Sequence, residues 1–556
     1  MEDNILKTIE EANKECQDNF RELFDLMEED LKFYVGGDGQ WTVDDINAIK
    51  SSHNVQITIN IIKKQIDTLL GRREQTLTDL KAYPVEIQDD EISDIMSKAL
   101  KWSMDVGNAQ NVISQAYKNQ LISGLGWIFI DTDTKGNVRF CSESPLNVYF
   151  DPYCKDLMGL SDCDYIIRFK QTTKKELIRV FPDKEEEIQQ LKDIQDDLYR
   201  NQSNASKRKE KVVVKEYWYR DEEDETWIVN VEDPNDAEVW EGTEEDLNYF
   251  LAANPHLTSE KRKTPVIKVA TVSGNVILQE NVTFSKGNIY PFIPFVGFYI
   301  DALEEWKYKL HGHVRNLKDI QRELNARHCA LMAITQKTPL GMWIAEESAI
   351  KDVEDLKKAG GKVGFLPYRR GSNPPQFIPQ PTLPSGEVQL LQLFVNDMNQ
   401  VGLPPEVTGT PSNLESGKAI SLVQAVGLTS VAELNSHLNF ALKKLGAYVI
   451  RLILNTFPKI KFEKIVGYEI PDEIYSMLRK DIDYNIAVDE TSRSVTSQLA
   501  AYESLFGQAQ HGIPVPPQTL IEKNPYLSPE DKKVILQQQE QMQQQQLLQQ
   551  QGVQPQ

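Results

Sequence analysis

The spacing of apolar residues changes period twice along this chain, which excludes a single all-helical or all-strand architecture. From residue 3 to about 124 apolar side chains return every three or four positions. Ile5, Ile9, Phe20, Leu23, Phe24, Met27 and Leu31 predict one amphipathic helix over 3–34, stopped by "GGDG". Further helices are expected from about Asn60 through Ile62, Ile66, Leu69 and Leu70 to Gly71, then over 88–104 and 108–123. From Trp127 the period becomes two. "WIFIDTDTKGNVRF" predicts two strands around a Lys135-Gly136-Asn137 turn, and "CDYIIRF", "KVVVKEYWY", "TWIVNVE" and "TPVIKVATVSGNVIL" continue the pattern. "TTKKELIRVFP" predicts a helix opened by a capping box, with the Thr173 hydroxyl taking the Glu176 amide and the carboxylate reaching back. Residues 201–211 predict an exposed, mobile loop. "YPFIPFVGFYI" (290–300) predicts a buried strand, being too short and proline-rich to cross a bilayer. The fold class is mixed α+β and helix-rich.

Helical spacing returns at about 314–336 and again from Ser385 to Gly402, where Val388, Leu391, Phe394, Val395 and Met398 form a stripe ended by Pro404 and Pro405. These two helices bracket a proline- and glycine-rich insert, 338–384, with strand-like pieces "MWIA" and "KVGFLPY". "GTPSNLESGKAI" predicts a flexible lead into a long helix reaching Phe457, on which Val431, Leu434, Leu438, Ala441, Leu445, Tyr448 and Leu452 repeat. Strands are expected near 461–470 and 481–488, then a helix over 491–508. A last helix is capped by Ser528 with Pro529, Glu530 and Asp531 in its first turn, and glutamine dominates beyond Leu548.

Charge narrows the function. With 61 Lys+Arg against 83 Asp+Glu, the net charge of −22 excludes a surface that grips DNA or anionic membrane everywhere. Five cysteines form no CxxC pair, which predicts a reducing compartment and no secretion. "GGDGQW" lacks the lysine and hydroxyl of a phosphate loop and reads as a turn. His311, His313, His328 and Cys329 are too far apart for an obvious metal set. Asp151, Asp156, Asp162 and Asp164 could supply oxygen ligands but lack EF-hand spacing. An enzymatic alternative stays open, a Mg²⁺-dependent nuclease using Asp151, Asp162 and Asp164, as does a coiled-coil scaffold built on 417–456.

The remaining feature is the row "VRNLKDIQRELNARHC" (314–329). Leu317, Ile320, Leu324, Leu331 and Ile334 make a packing stripe, with Arg315, Lys318 and Arg322 beside it and Asp319 and Glu323 placed for pairs at i+3 and i+4. These cations either pair within their own face, neutralise acidic groups on an adjacent copy, or touch a phosphate backbone briefly.

Four strings in the same order, "NVQITINIIKKQIDTLLGRRE", "FDPYCKDLMGLSDCDYIIRF", "GHVRNLKDIQRELNARH" and "ESGKAI", make the stretch 40–455 resemble the portal proteins of short-tailed double-stranded DNA bacteriophages. The resemblance implies a non-enzymatic subunit without cofactor or metal, about twelve copies of which form a ring around a channel for packaging and ejecting DNA. It implies a helical wing segment over 1–124, an α+β wing 125–300, a first stem helix within 301–337, and a clip 338–384. Beyond these it implies a second stem helix 385–402, a channel loop 403–418, a long helix with wing return 419–490, and crown helices with a tail 491–556. Its partners would be the terminase motor, the major capsid protein, tail adaptor proteins and passing DNA, with no membrane. Its place would be the capsid vertex of the virion, after assembly in the host cytoplasm. Arg315, Lys318, Arg322 and Lys418 are then the candidates to face the DNA channel, and Lys351, Arg369 and Arg370 the candidates for docking partners at the clip.

Overall fold

A computed structural model describes residues 2–52, 54–74, 76–84, 90–191, 211–230, 237–240, 242–337, 342–344, 376–378, 385–405, 426–479, 484–492, 495–510 and 515–522, with a few isolated positions besides. Residues 201–210 of the expected loop 201–211, the strand "KVGFLPY", most of 403–425, and the Ser528 cap with the glutamine tail lie outside the described residues, while Lys211 opens a strand. The chain divides into two compact units, 1–68 with 107–444 and 69–106 with 445–556.

In the first unit, the N-terminal helix Glu2–Val35 buries the face carrying Phe20, Leu23, Phe24 and Met27. That face meets aromatic side chains from the strands and from the short helix Trp306–Lys309: Phe20 lies 4.6 Å from Phe150 and 5.4 Å from Trp306, and Trp127 stands edge-on to Phe292. These rings supply the large apolar areas that dominate core stability. Two antiparallel sheets surround them. One has Leu125–Thr132 between Phe292–Val296 and Val138–Glu143; the other runs Val148–Phe150, Tyr165–Thr173, Lys211–Asn230, Leu257–Ser273, Val276–Lys286. Every residue of Phe292–Val296 is buried, as its continuous apolar run requires.

The expected separate strands "KVVVKEYWY" and "TWIVNVE" are one strand of 20 residues, Lys211–Asn230. The acidic segment between them contains no glycine or proline and lies opposite a basic partner strand, with Asp224 facing Lys263 and Glu225 facing Arg262. Lys263 also reaches Glu222 at 3.1 Å and Lys268 reaches Asp221 at 2.7 Å, so charge pairing carries the ladder through a stretch that reads as a turn. Thr173 accepts from the Glu176 amide at 3.2 Å, but the Glu176 carboxylate takes the Thr172 hydroxyl instead of returning to the cap. A complete capping box forms at Thr42 and Asp45.

The helix Ala109–Ser123 ends at Gly124, whose φ of 87° suits glycine, and a Cβ there would stand 2.4 Å from the His311 carbonyl carbon. The bracketing helices run Lys318–Lys337 and Ser385–Val401, and the insert returns on itself where Met342–Ile344 pairs antiparallel with Gln376–Ile378. The helix Glu244–Ala253, unread in the sequence, opens on Thr243 accepting from the Asp246 amide.

In the second unit, Thr76–Pro84 pairs antiparallel with Tyr484–Ser492 over nine residues. Ser97, on the helix Asp90–Val106, accepts from the Ala82 amide at 3.0 Å. Trp102, Phe457 and Phe462 form an aromatic run with the Lys461 ammonium 3.6 Å from the Phe457 ring centre. The strand expected near 461–470 is instead two helices, Lys459–Val466 and Asp472–Arg479. Pro458 before the first and left-handed Gly467 after it are helix boundary signals, and they outweigh the alternation of Ile460 and Phe462. The helix expected over 491–508 runs Val495–Gln510, because Thr491 and Ser492 complete the strand.

Candidate functional site

A short 3₁₀ turn, Arg315–Leu317, leads into the helix Lys318–Lys337, so the side chains of 315, 318 and 322 fall on one stripe. The structure sets that stripe against Glu29 and Asp30 of the N-terminal helix. Asp30 is completely buried. Arg315 donates from Nε and Nη2 to its Oδ2 at 3.1 and 2.8 Å, and from Nη1 to the carbonyls of Lys307 and Leu310 at 3.1 Å each. Lys318, 7% exposed, reaches Glu29 at 2.6 Å and Asp30 Oδ1 at 2.9 Å. Arg322, about one-third exposed, pairs with Glu29 and with Asp319. The Phe33 ring lies under the Arg322 and Lys318 head groups, 4.8 and 5.6 Å from its centre. Burial by itself would raise the Glu29 carboxyl, but the hydrogen bonds and charges of Lys318 and Arg322 outweigh it and hold that group below the ordinary carboxylate range. Glu323 and Arg327 form the i+4 pair expected from their spacing, at 3.8 Å.

A second stripe of the same helix grips residues 57–61. Gln321 accepts from the Ile61 amide at 3.1 Å and donates to the Ile59 carbonyl at 2.6 Å; Asn325 accepts from the Ile59 amide at 3.0 Å and donates to Gln40 at 2.8 Å. Cys329 Sγ accepts from the Ile57 amide at 3.3 Å. Positions 321, 325 and 329 succeed one another by four, so one helix face satisfies alternate backbone groups of an extended segment that has no sheet partner among the described residues. In the sequence these residues sit inside the basic string with no sign of this task.

A third fastening involves the end of the second bracketing helix. Gln65 Oε1 accepts from the Leu403 amide at 3.1 Å and faces His313 Nε2 at 3.3 Å, while its Nε2 donates to the Met398 carbonyl at 3.3 Å. With both partners directed at one carbonyl oxygen, His313 carries its proton on Nε2. Burial pushes its pKa down to about 4, so the ring is neutral. Gly402 leaves room for this carboxamide, since a Cβ would lie 2.2 Å from Gln65 Oε1 and displace it.

The other sequence candidates are dispersed. His311 stacks on Phe298, away from the Gln65 partner of His313, and among the described residues no group of three His, Cys, Asp or Glu is arranged to hold a metal. The acidic loop is spent on its own backbone. Asp162 accepts from the amides of Lys155 and Asp156 at 2.9 and 3.0 Å, Asp151 from those of Tyr153 and Asp164 at 2.9 and 3.2 Å, and Asp156 from that of Gly159 at 2.8 Å. Lys351, Arg369, Arg370 and Lys418 lie outside the described residues. No helix among the described residues is long and apolar enough to cross a membrane.

Among the described side chains of the helix Ser385–Val401, only Met398 is fully buried, and Leu390, Leu393 and Val401 remain 39%, 51% and 49% exposed, with Met332 of the other bracketing helix at 39%. Leu390 and Leu393 stand three residues apart and so fall on one face of this helix.

Comparison with known proteins gives two matches. Residues 11–556 match the family model described as phage P22-like portal protein. A stretch of 199 residues, 35% of this chain, is 23% identical to the portal protein of Helicobacter pylori bacteriophage KHP30, and it spans 30% of that relative's length.

Proposed function

This chain belongs to the phage P22-like portal protein family, and from that premise we propose that about twelve copies close into a ring at one capsid vertex, through which double-stranded DNA is packaged and later released. The family match over nearly the whole chain is the observation that carries this reading. The bracketing helices form the stem, the insert 338–384 the clip, the α+β region 125–300 the wing, and the residues beyond 491 the crown. The terminase motor docks at the clip through Lys351, Arg369 and Arg370 and is replaced there by tail adaptor proteins, while the major capsid protein holds the wing. The exposed stripe Leu390, Leu393 and Val401 is covered by the neighbouring stem, since a closed ring repeats one heterologous contact around its axis.

The surplus of acid has a use in such a ring. A dozen copies at −22 each bring a few hundred negative charges to one particle, so DNA is repelled from most of its surface and slides without being held. The row Arg315, Lys318 and Arg322 acts chiefly within the subunit: its ion pairs to Glu29 and Asp30 fix the stem helix on the N-terminal helix, and Arg322 is the most exposed of the three. The subunit is a conduit and docking surface, and the work of packaging comes from the motor. Electron microscopy of the purified protein tests this reading. Annular particles with a stain-filled centre support it, whereas rods or compact dimers favour a coiled-coil scaffold. Mg²⁺-dependent plasmid cleavage lost in Asp162→Ala would favour a nuclease.

A further inference from the structure

An open groove of about 480 Å³ lies along the start of the helix Ile61–Glu74, lined by Asn60, Lys63, Lys64, Asp67 and Thr68. Beside it stands Tyr34, buried on the N-terminal helix. Its hydroxyl donates to Asp67 at 2.6 Å, and Asn60 Nδ2 donates to its carbonyl at 2.9 Å. Asn60 also caps the helix, its Oδ1 accepting from the Lys63 amide at 3.0 Å. The Tyr34 ring gathers a further cation: the Lys118 ammonium lies 4.7 Å from the ring centre and that of Lys63 5.8 Å. Lys63 and Lys118 therefore converge on one region beside the Asp67 carboxylate, and that carboxylate already accepts the tyrosine hydroxyl. Among the described residues Lys63 and Lys118 make ring contacts rather than ion pairs, unlike the stem cations, which are paired with Glu29, Asp30 and Asp319.

We propose that this groove is a contact point for the phosphodiester backbone of double-stranded DNA, with Lys63 and Lys118 supplying the charge. The inference rests on the reading of the chain as a DNA conduit and names residues for a contact that reading leaves unassigned. On a chain with a net charge of −22, a solvent-open cluster with excess positive charge is the feature a polyanion would find. The residue type fits a moving ligand. Lysine ammonium groups are compact, hydrated point charges without the two-pronged geometry by which arginine fixes a phosphate, so they favour brief contacts that carry no sequence information. Asp67 within the groove limits the strength of each contact.

The test measures binding of a labelled duplex of about 15 base pairs to the full-length protein by fluorescence anisotropy between about 50 and 200 mM salt, since each neutralised phosphate adds about 0.9 to the slope of log affinity against log salt. Lys63→Gln/Lys118→Gln is expected to flatten the slope by nearly two, so that wild type loses about tenfold more affinity than the variant across that range. Lys14→Gln/Lys175→Gln, the same change of charge at two other exposed lysines, should leave the slope as it is. Equal slopes for the two double variants, or wild-type rings that bind no duplex at low salt, overturn the proposal. Particle mass is read in the same preparation: duplex binding lost with Lys63 and Lys118 in protein that never forms rings would sustain the groove while removing the conduit reading.

Discussion

Asp30→Ala is the most informative single change, because it removes the buried carboxylate that Arg315 and Lys318 share. Removing one partner of a buried ion pair costs about 3–5 kcal/mol, since the remaining charge stays desolvated without compensation. Here the loss belongs near the lower end. Arg315 keeps the Lys307 and Leu310 carbonyls, and Lys318 keeps Glu29 at 2.6 Å, so neither cation is left without an acceptor. About 3 kcal/mol is expected from equilibrium urea unfolding, with protein concentration fixed because assembly adds to apparent stability. Arg322→Ala supplies the internal scale: its side chain is about one-third exposed, and Glu29 retains Lys318, so its loss should cost no more than about 1 kcal/mol. If Asp30→Ala cost no more than Arg322→Ala, the N-terminal helix would not be fastened to the helix Lys318–Lys337 through this carboxylate, and the positioning role assigned to the row would fail.

Gln321→Leu should leave the Ile61 amide and the Ile59 carbonyl with only their mutual bond at 3.1 Å, costing about 1–2 kcal/mol, and hydrogen exchange at Ile61 should accelerate while that within Tyr165–Thr173 does not. Gly402→Ala should expel the Gln65 carboxamide and release the Leu403 amide, with a loss of about 2 kcal/mol in the same unfolding assay. His313 titrates near 4 when folded against 6.5 in the free side chain. The unfolded chain therefore binds the extra proton between those values, and stability must rise with pH through this window. It is complete above about 6.5 and falls by about 3 kcal/mol as pH drops to 4; in His313→Gln the unfolding free energy plotted over that range should be correspondingly flatter. Leu390→Glu/Leu393→Glu should leave the circular dichroism of the subunit intact and reduce the assembled fraction in sedimentation velocity, whereas undiminished assembly would place the subunit contact elsewhere.

The legible elements of the fold were those whose signals are local. The N-terminal helix, the turn at Gly136 and the buried strand Phe292–Val296 follow from spacing over a dozen residues or fewer. The pairing of Thr76–Pro84 with Tyr484–Ser492 did not, because its stabilisation comes from a partner some 400 residues away along the chain. The same distinction runs through the candidate site. Spacing put Arg315, Lys318 and Arg322 on one face, but their acceptors, Glu29 and Asp30, lie nearly 300 residues upstream in "MEEDL", where they read as ordinary solvated charges. Gln321 and Asn325 were hidden for a related reason: an amide at helical spacing says nothing about whether it will meet water or another segment's backbone. The capping signals Thr42 to Asp45, Thr243 to Asp246, Pro458 and Gly467 were within local reach and left unused.

The mass of the assembled particle tests the central claim most directly. Twelve chains of 63.5 kDa form a closed ring of about 760 kDa, and native mass spectrometry of the purified full-length protein should find a species close to that value. A particle that stays at 63.5 kDa across protein concentration, salt and pH would contradict the account.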